Sequence, residues 1–254
     1  MLTSTDLERA LAAAGLAAPV RFDEVTGSTN ATALELAEAG APEWTLVAAA
    51  HQTHGRGRLG RTWVDRPGAA LMFSFVLRPN VDPSRAGLLP LLAGASMSLA
   101  VGDAGGPEVR CKWPNDLLVG DGAKVGGILV ESSLVEGRIQ YVVVGIGVNL
   151  ESPPVRGAAA LGGVDGGAVL RGFFVRFSVG YGSLVGGDEG SDDRVVESWT
   201  AVSATLGRIV RAERVDGGPA VVGRAIAVDR TGALVVQTSK GRASVSSGEI
   251  AHVG

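Results

Sequence analysis

A segment rich in glycine and arginine, lying between two apolar runs, constrains the fold of this chain more than any other feature. Residues 55–61 contain three glycines and three arginines. The glycines let the backbone take positive φ and come close to a ligand. The arginines carry permanent charge and planar donors that suit phosphate and carboxylate. The segment therefore predicts a loop that wraps an anion, and the alternative is a solvated basic loop without a ligand.

The residues on either side of this loop decide what kind of loop it is. Its glycine spacing matches the dinucleotide-binding pattern G-x-G-x-x-G and nearly matches a phosphate-binding P-loop. Both motifs require an α-helix directly afterwards. Residues 62–68 are turn-forming instead, and they lead into the apolar run 70–77. With a second apolar run at 44–50, the sequence predicts strand, loop, strand.

Length, charge and cysteine content restrict the class of protein. The 254 residues allow one or two domains with a sizeable core. The net charge of −3 does not favour bulk nucleic-acid binding. The single cysteine, Cys111, excludes an internal disulfide and fits a reducing compartment. We find no signal-peptide pattern and expect no apolar run near the roughly 20 residues of a membrane span. The sequence therefore predicts a cytoplasmic protein that binds no membrane.

Helix and strand signals are mixed along the first 200 residues, which predicts an α+β fold. Thr5 and Glu8 match a capping box for a first helix that stops at Gly15. Further helices are predicted over residues 31–39, 88–101 and 170–186, followed by a polar linker over 186–193. Strands are predicted over residues 21–25, 44–50, 70–77, 108–111, 124–131 and 139–150, the last as a buried central strand.

The pattern changes after Ala204 to short strands separated by turns. The turn residues lie at 216–218, 229–232, 239–241 and 246–248. Regular turn spacing of this kind predicts a small β-barrel.

Lysine and asparagine are scarce, so the positions that carry them are informative. Arginine outnumbers lysine 20 to 3, and there are four asparagines. Five of these residues lie in compact motifs: Lys112, Lys124, Asn30, Asn115 and Asn149. Asn149 ends the predicted central strand, where it either belongs to a turn or binds a nucleotide.

Two polar motifs have both a structural and a functional interpretation. Ser28, Thr29 and Asn30 precede a helix, so they either cap it or bind a small polar ligand. Pro114 forces an extended corner, which would present Lys112, Asn115 and Asp116 between two apolar runs. Catalytic residues often lie on loops that are held rigidly in this way.

Four motifs occur in an order that resembles the biotin protein ligases, also called biotin–acetyl-CoA-carboxylase ligases. They are Gly55–Arg61, Lys112–Asp116, Lys124–Glu131 and Gly145–Asn149, with Ser28–Asn30 ahead of them. The resemblance implies a mixed β-sheet catalytic domain related to class II aminoacyl-tRNA synthetases and lipoate ligases, over residues 1–200. It also implies an SH3-like C-terminal β-barrel over residues 201–254. The short N-terminal segment resembles the monofunctional type, which lacks a DNA-binding module.

The resemblance implies a reaction in two steps. Biotin and MgATP give biotinyl-5′-AMP and pyrophosphate, and a lysine of a biotin carboxyl carrier protein domain then attacks the adenylate. Two anions must be brought together, so cations have to offset their repulsion. The adenylate also has to be shielded from water by a closing loop.

The family's functional residues transfer to matching positions of this chain. The catalytic set implied is Lys124, Arg58 and Asp116. The biotin-binding set implied is Ser28, Thr29, Asn30, Gln52, Gly55, Arg56, Gly57, Arg58 and Lys124. The ATP- or adenylate-binding set implied is Arg58, Arg61, Trp63, Lys112, Asn115, Lys124 and Asn149. Trp63 has core packing as its alternative role, and Cys111 is expected to be structural.

Other functions remain as alternatives. A lipoate or octanoate ligase shares the sheet and the adenylation chemistry, but the arginine loop and residues 112–116 favour biotin. A biotin-responsive DNA-binding regulator is opposed by the acidic net charge and the short N-terminal segment. A binding module without activity is opposed by the complete set of cations. His51 and His54 lack a third ligand for zinc, so the expected metal is Mg²⁺ held by phosphate and water. We expect a monomer or weak homodimer that binds no DNA.

Overall fold

The computed structural model describes residues 2–215 and 217–253. Within these residues the α-helices are α1 (Ser4–Ala13), α2 (Thr29–Glu38), α3 (Leu88–Asp103), α4 (Gly166–Gly186) and α5 (Ser191–Ala201). The strands of the first part are β1 (Val20–Asp23), β2 (Leu46–Ala49), β3 (Gly55–Arg56), β4 (Thr62–Trp63), β5 (Ala70–Leu77), β6 (Val109–Lys112), β7 (Asp116–Val119), β8 (Ala123–Val135) and β9 (Arg138–Asn149). The strands of the second part are β10 (Ile209–Arg214), β11 (Val221–Val228), β12 (Leu234–Thr238), β13 (Gly241–Val245) and β14 (Gly248–His252).

A seven-stranded mixed sheet forms the centre of the molecule. Its strand order is β1-β2-β5-β9-β8-β7-β6. Strands β1 and β2 are parallel, and the other neighbours are antiparallel. Strand β9 occupies the middle position, as its run of β-branched residues predicted, and every residue of β5 is buried. The mixed sheet expected from the sequence is confirmed.

Helices α1, α3 and α4 cover one face of this sheet, and α5 packs against α3 and α4 in the same core cluster. Helices α3 and α4 approach closely because two glycines of α4 leave room for α3. A Cβ at Gly172 would lie 3.3 Å from the Cβ of Ala100, and one at Gly180 would lie 2.5 Å from the Cδ1 of Leu92. Gly172 and Gly180, although unfavourable for helix formation, therefore let the two helices pack closely.

The expectation that no apolar run approaches the length of a membrane span is wrong. The helical run Pro83–Asp103 is 21 residues long and apolar enough to cross a membrane by length and composition. However, 67% of its apolar window is buried inside the protein. Because α3 packs against both the sheet and α4, it is apolar on all sides, as a central core helix is.

Helix α2 lies on the opposite face of the sheet. Its residues Ala33 and Ala37 pack against Val47, Val76 and Val143, one from each of β2, β5 and β9. Alternate residues of these strands point to the two faces, so their neighbours join the other cluster. Since α2 covers only part of this face, the first residues of the helix border an open region of sheet.

The C-terminal strands form a five-stranded antiparallel sheet with the order β13-β12-β11-β10-β14. The predicted small β domain is confirmed, although the turn predicted at residues 216–218 includes Asp216, which lies outside the described residues. This domain packs on the first: the indole Nε1 of Trp113 donates to the carbonyl of Gly232 at 3.1 Å. The carbonyl of Thr231 lies so close to Gly87 that a Cβ there would be 2.2 Å away.

Two local predictions are wrong. The capping box lies at Thr3 and Asp6 rather than at Thr5 and Glu8. Helix α1 begins at Ser4, so Thr5 lies inside the helix and cannot cap it. The linker predicted over residues 186–193 is too long, because a helix that was not predicted, α5, begins at Ser191. Helix α5 begins after Gly190, which has φ 71° and offers no capping side chain, so Asp192 and Asp193 in its first turn are the signal at its start.

Candidate active site

A cavity of about 300 Å³ opens on the sheet face beside the first turn of α2. Its walls include most of the predicted site residues, namely Ser28, Thr29, Asn30, Gln52, Arg56, Gly57, Arg58, Arg61, Trp63, Lys112, Asn115, Asp116 and Lys124. These residues come from separate elements, so the sheet brings together motifs that are far apart in the sequence.

The first turn of α2 faces the cavity with buried polar groups. Ser28 precedes the helix but makes no side-chain cap, so its hydroxyl is not used for capping. The side-chain Oε1 of Gln52 accepts from the backbone N–H of Thr29 at 2.7 Å and from its hydroxyl at 3.1 Å. Pure helix capping therefore does not account for these residues.

Asn30 is held in one orientation by its neighbours. Its Oδ1 accepts from the hydroxyl of Ser74 at 2.6 Å, and its Nδ2 donates to Glu131 at 2.9 Å. A polar group that is only 4% exposed needs such partners. Neither Ser74 nor Glu131 was singled out as a site residue from the sequence.

Two glycines of β9 make room for the side chains that form the cavity floor. A Cβ at Gly145 would lie 1.7 Å from Oδ1 of Asn30, and one at Gly147 would lie 2.9 Å from the ring of Trp63. The motif Gly145-Ile146-Gly147 thus has a steric function, which is to let an amide and an indole come close to the sheet.

The glycine-arginine segment forms a small hairpin instead of the start of an α-helix. Strands β3 and β4 pair Gly55 with Trp63 and Arg56 with Thr62. A 3₁₀ turn, Arg58–Gly60, joins them, with φ 54° at Leu59 and φ 73° at Gly60. The interpretation as strand, loop, strand is confirmed, and both helix-based motifs are excluded.

The cavity is positively charged although the protein is acidic overall. Five basic side chains and two carboxylates line it, while the net charge of the chain is −3. Three of the basic groups are paired with carboxylates: Arg56 with Glu131 at 2.7 Å, Lys124 with Asp116 at 2.5 Å, and Arg61 with Glu249.

Arg58 has weaker partners than these three. Its Nη1 donates to the carbonyl of Gly248 at 3.2 Å and reaches Oδ1 of Asn115 at 3.5 Å. No ion pair between described residues includes it. Burial lowers the pKa of the Arg58 guanidinium from its ordinary value, and the carboxylates of Glu249 and Asp116 oppose this. A half-buried cation that remains charged in this setting favours an anionic ligand.

The corner at Pro114 fixes the side of the cavity opposite α2. The backbone N–H of Trp113 donates to the hydroxyl of Thr205 at 2.9 Å. The amide Nδ2 of Asn115 donates to the carbonyl of Ile128 at 2.7 Å, which ties the corner to β8. The neighbouring side chains of Lys112 and Asp116 line the cavity.

Trp63 carries an unused donor. Its indole Nε1 is buried and has no hydrogen-bond partner among the described residues. Buried donors are nearly always paired in folded proteins, so a ligand acceptor would satisfy this group. Core packing alone would leave it unpaired.

Two predicted site residues do not reach the cavity wall. Gly55 lies beneath Trp63, where a Cβ would come 2.5 Å from the carbonyl of that residue. Asn149 donates from Nδ2 to the carbonyl of Ala159 at 2.9 Å, so its amide holds the segment that follows β9.

The C-terminal domain supplies two cavity residues that sequence reasoning missed. Glu249 and Ile250 of β14 line the wall, and Glu249 holds Arg61. The two charged partners are 188 positions apart in the chain. No local pattern could have placed them together.

The remaining sequence candidates have structural surroundings. Burial raises the pKa of the Cys111 thiol to about 12, so this cysteine is not a nucleophile. His51 pairs with Asp65, and His54 accepts or donates at Thr53. Among residues 2–215 and 217–253, no cluster of three or more His, Cys, Asp or Glu side chains forms a metal site.

The fold combines a seven-stranded mixed sheet and a C-terminal five-stranded sheet with a cavity lined by five basic side chains. The sequence pattern of the Biotin/lipoate A/B protein ligase family matches residues 22–149. That of the Biotin protein ligase C terminal domain matches residues 205–253. The chain therefore belongs to the biotin protein ligase family.

Individual relatives agree with this assignment. The chain is 35% identical to the biotin–[acetyl-CoA-carboxylase] ligase of Paracoccus denitrificans, over 89% of this chain and 97% of the relative. It is 33% identical to the enzyme of the same name from Mycobacterium tuberculosis, over 90% and 86% of the two chains. The crystallised biotin protein ligase of Aquifex aeolicus in complex with biotin and ATP superposes with a TM-score of 0.71 and 25% identity, over 92% of this chain and 97% of that one.

Proposed function

We propose that this protein is a biotin–[biotin carboxyl carrier protein] ligase. It activates biotin with ATP as biotinyl-5′-AMP and transfers the biotinyl group to a lysine of a carrier domain. The observation that carries the proposal is a cavity in which the polar start of α2 meets five basic side chains. A polar neutral ring and a set of phosphates need these two environments next to each other.

The proposed biotin site is the part of the cavity nearest α2. Ser28, Thr29, Asn30 and Gln52 offer hydroxyl and amide groups in a largely buried wall, which suits the ureido ring. Gly127 leaves space over the sheet, since the atom nearest to a Cβ there would be 3.6 Å away, at the end of the Lys124 side chain. Lys124, which also lines the cavity, is proposed to contact the biotin carboxylate and the α-phosphate of the nucleotide.

The adenylation step needs charge neutralisation and positioning. The biotin carboxylate oxygen attacks the α-phosphorus of ATP, the bond to the β-phosphate oxygen breaks, and pyrophosphate leaves. Lys124, Arg58, Arg61 and Lys112 are placed to offset the negative charge that develops, and the Arg56–Arg61 hairpin covers the product. Trp63 and Asn115 are proposed to contact the nucleotide.

In the transfer step, the acceptor lysine attacks the biotinyl carbonyl. A carbon–nitrogen bond forms, the bond to the phosphate oxygen breaks, and AMP leaves with its charge while the amine loses a proton. Asp116 is proposed to orient that amine or to accept its proton. Its present hydrogen bond with Lys124 at 2.5 Å keeps both groups at the cavity wall.

The donor set fits Mg²⁺ carried by the nucleotide. Magnesium is usually held by phosphates and water with one or two carboxylates, and the carboxylates of this cavity are Asp116 and Glu249. When bound, the metal would neutralise phosphate charge, which is why we include MgATP as the substrate form.

We also propose the finer points of organisation. The domain boundary lies between residues 200 and 201, at the end of α5. The reaction takes place in the cytoplasm, in keeping with a single buried cysteine. The protein acts as a monomer or weak homodimer without binding DNA or a membrane, and the acidic net charge supports the absence of DNA binding.

The proposal is tested by ATP–pyrophosphate exchange with purified protein and Mg²⁺, in parallel reactions containing biotin, lipoate or neither acid. We expect exchange that depends on biotin alone. Exchange with lipoate would assign the protein to the sister activity, and absence of exchange with either acid would contradict adenylation.

The transfer step needs a separate test. A biotin carboxyl carrier domain is incubated with the protein, biotin and ATP, and its mass is measured. The control domain carries arginine in place of the acceptor lysine. An increase of one biotinyl group in the first domain and none in the control is expected, and equal labelling of both would contradict transfer to a specific lysine.

A further inference from the structure

The carboxylate of Asp65 is buried at the base of the hairpin formed by β3 and β4, here called the arginine hairpin. It is not part of the cavity wall, and it lies outside the sequence motifs that resemble the biotin protein ligases. The side chain of Asp65 is 0% exposed. Its Oδ2 accepts a hydrogen from Nδ1 of His51 at 2.9 Å, and its Oδ1 accepts from the backbone N–H of Gln52 at 3.3 Å. Asp65 therefore holds two consecutive residues that precede the hairpin.

A carboxylate in this position requires partners, because an ionised group without them is strongly disfavoured in the interior. The imidazole of His51 is 28% exposed, and its Nδ1 lies 2.9 Å from the buried oxygen. The pair is a charge-assisted hydrogen bond that a neutral side chain at residue 65 would not reproduce.

The pair of Asp65 and His51 joins the two ends of the chain segment that forms the hairpin. Asp65 follows β4, whereas His51 and Gln52 follow β2, so the bonds span 14 and 13 positions and close the loop at its base. The hydrogen bond from Gly68 N to the Ala50 carbonyl, at 2.8 Å, continues the closure. All three arginines of the hairpin lie between these two ends.

Gln52 connects this closure to the substrate. Its backbone is bound by Asp65, and its side-chain Oε1 accepts from the N–H and hydroxyl of Thr29. A shift of the Gln52 backbone would therefore move the wall that faces the proposed acid substrate. The same shift would loosen the base of the loop that covers the adenylate.

We propose that Asp65, paired with His51, is a positioning residue that sets both the biotin-facing wall through Gln52 and the closure of the arginine hairpin. This rests on the proposed function, since it assigns a role in biotin binding and adenylate retention. Asp65 does not touch the reacting atoms, and its effect passes through the Gln52 N–H and the His51 imidazole.

The test compares steady-state kinetics of Asp65→Ala, Asp65→Asn and His51→Ala with the unaltered protein. For Asp65→Ala we expect the KM for biotin to rise about tenfold or more and the KM for ATP to rise by a smaller factor, because only the biotin-facing wall is bound to Asp65 directly, through Gln52. Asp65→Asn keeps an acceptor for the Gln52 N–H, so most of the biotin affinity should return. Asp82→Ala serves as the matched control, because Asp82 is an exposed carboxylate that caps a 3₁₀ turn away from the cavity.

Two further readouts separate positioning from general stability. Trypsin should cut the hairpin at Arg56, Arg58 or Arg61 faster in Asp65→Ala than in Asp82→Ala. Each variant is digested at the same number of degrees below its own melting temperature. The double variant Asp65→Ala with His51→Ala should have the same KM for biotin as Asp65→Ala alone, because both substitutions remove the same hydrogen-bonded pair.

The outcomes are distinguishable from failure of the proposed function. If the unaltered protein shows no biotin-dependent pyrophosphate exchange, the proposed function fails before any variant is compared. If that exchange is present, equal changes in both KM values, or a lower melting temperature with unchanged kinetics and unchanged hairpin cleavage, would overturn the role of Asp65.

Discussion

At the scale of single residues, Lys124 is the side chain on which the proposed chemistry most depends. It is one of three lysines in the chain, and its side chain is 45% exposed in an ion pair with Asp116. An exposed pair contributes only about 0.2–1 kcal/mol to stability, whereas a cation facing developing charge contributes far more to a transition state.

We therefore expect Lys124→Ala to fold normally and to lose activation of biotin. Pyrophosphate exchange should fall by roughly 10²-fold or more, as for removal of one transition-state donor, with little change in melting temperature. Lys240→Ala is the matched control, since Lys240 is an exposed lysine in the turn between β12 and β13. Near-normal exchange in Lys124→Ala would remove this residue from the catalytic set.

Gly145 gives a second prediction at this scale, from steric evidence alone. The Gly145→Ala substitution would place a methyl group 1.7 Å from Oδ1 of Asn30, so Asn30 must leave its hydrogen bonds with Ser74 and Glu131. Losing buried hydrogen bonds costs about 1–3 kcal/mol each. We expect the dissociation constant for biotin, measured by calorimetry, to rise by roughly tenfold or more.

A matched glycine shows whether this effect is local. Gly102 lies near the end of α3 with nothing within 4 Å of a Cβ and without positive φ, so Gly102→Ala should bind biotin normally. Unchanged biotin affinity in Gly145→Ala would mean that Asn30 does not contribute to the biotin site.

At the scale of secondary-structure elements, glycines in α4 offer a prediction about packing. Gly180 and Gly182 lie on the same helix, but only Gly180 meets α3: its Cβ would be 2.5 Å from a methyl of the buried Leu92. Gly182 has nothing within 4 Å. The two positions separate helix propensity from close approach.

We expect opposite changes in the free energy of unfolding. Gly182→Ala should stabilise the protein by about 0.5–1 kcal/mol, because alanine loses less backbone entropy in a helix. Gly180→Ala should destabilise it by about 1–3 kcal/mol through overpacking. Urea denaturation of both variants measures the difference, and changes of the same sign would contradict the packing of α3 on α4.

The elements that could be predicted from the sequence are those with a strong local signal. Strand β5 matches its predicted range, and β9 has a run of β-branched residues that places it in the middle of the sheet. Helix α5 was missed because its buried side chains are only Ser191, Val195 and Trp199. These positions recur at helical spacing, and the first turn is acidic, so a signal was present but weak in a short and mostly polar segment.

At the scale of the whole molecule, the cavity could be predicted only in part. Its motifs were identified from residue type and order, since glycines, arginines and rare lysines stand out locally. The contribution of β14 could not be predicted, because Glu249 meets Arg61 only through docking of the C-terminal sheet. The nucleotide role of Asn149 stays a prediction: its Nδ2 donates to the Ala159 carbonyl, and the residue is not part of the cavity wall.

Docking of the C-terminal sheet makes the hairpin a point where both domains meet. The side chain of Arg58 reaches Asn115 of the first domain and the Gly248 carbonyl of the second. Both acceptors are neutral, so the guanidinium can exchange them for a phosphate without breaking an ion pair. Arg58 is therefore suited to hold the hairpin over a bound adenylate while the two domains remain docked.

Replacing Arg58 should uncouple adenylate formation from retention. In Arg58→Gly we expect biotinyl-AMP to leave the open cavity and to label lysines of bystander proteins, because the mixed anhydride reacts with any accessible amine. Streptavidin blots of reactions that contain serum albumin measure this labelling. Arg156→Gly, which alters an exposed arginine outside the cavity wall, should confine biotin to the carrier domain. The same confinement in Arg58→Gly would show that adenylate retention does not depend on the contact between hairpin and C-terminal sheet.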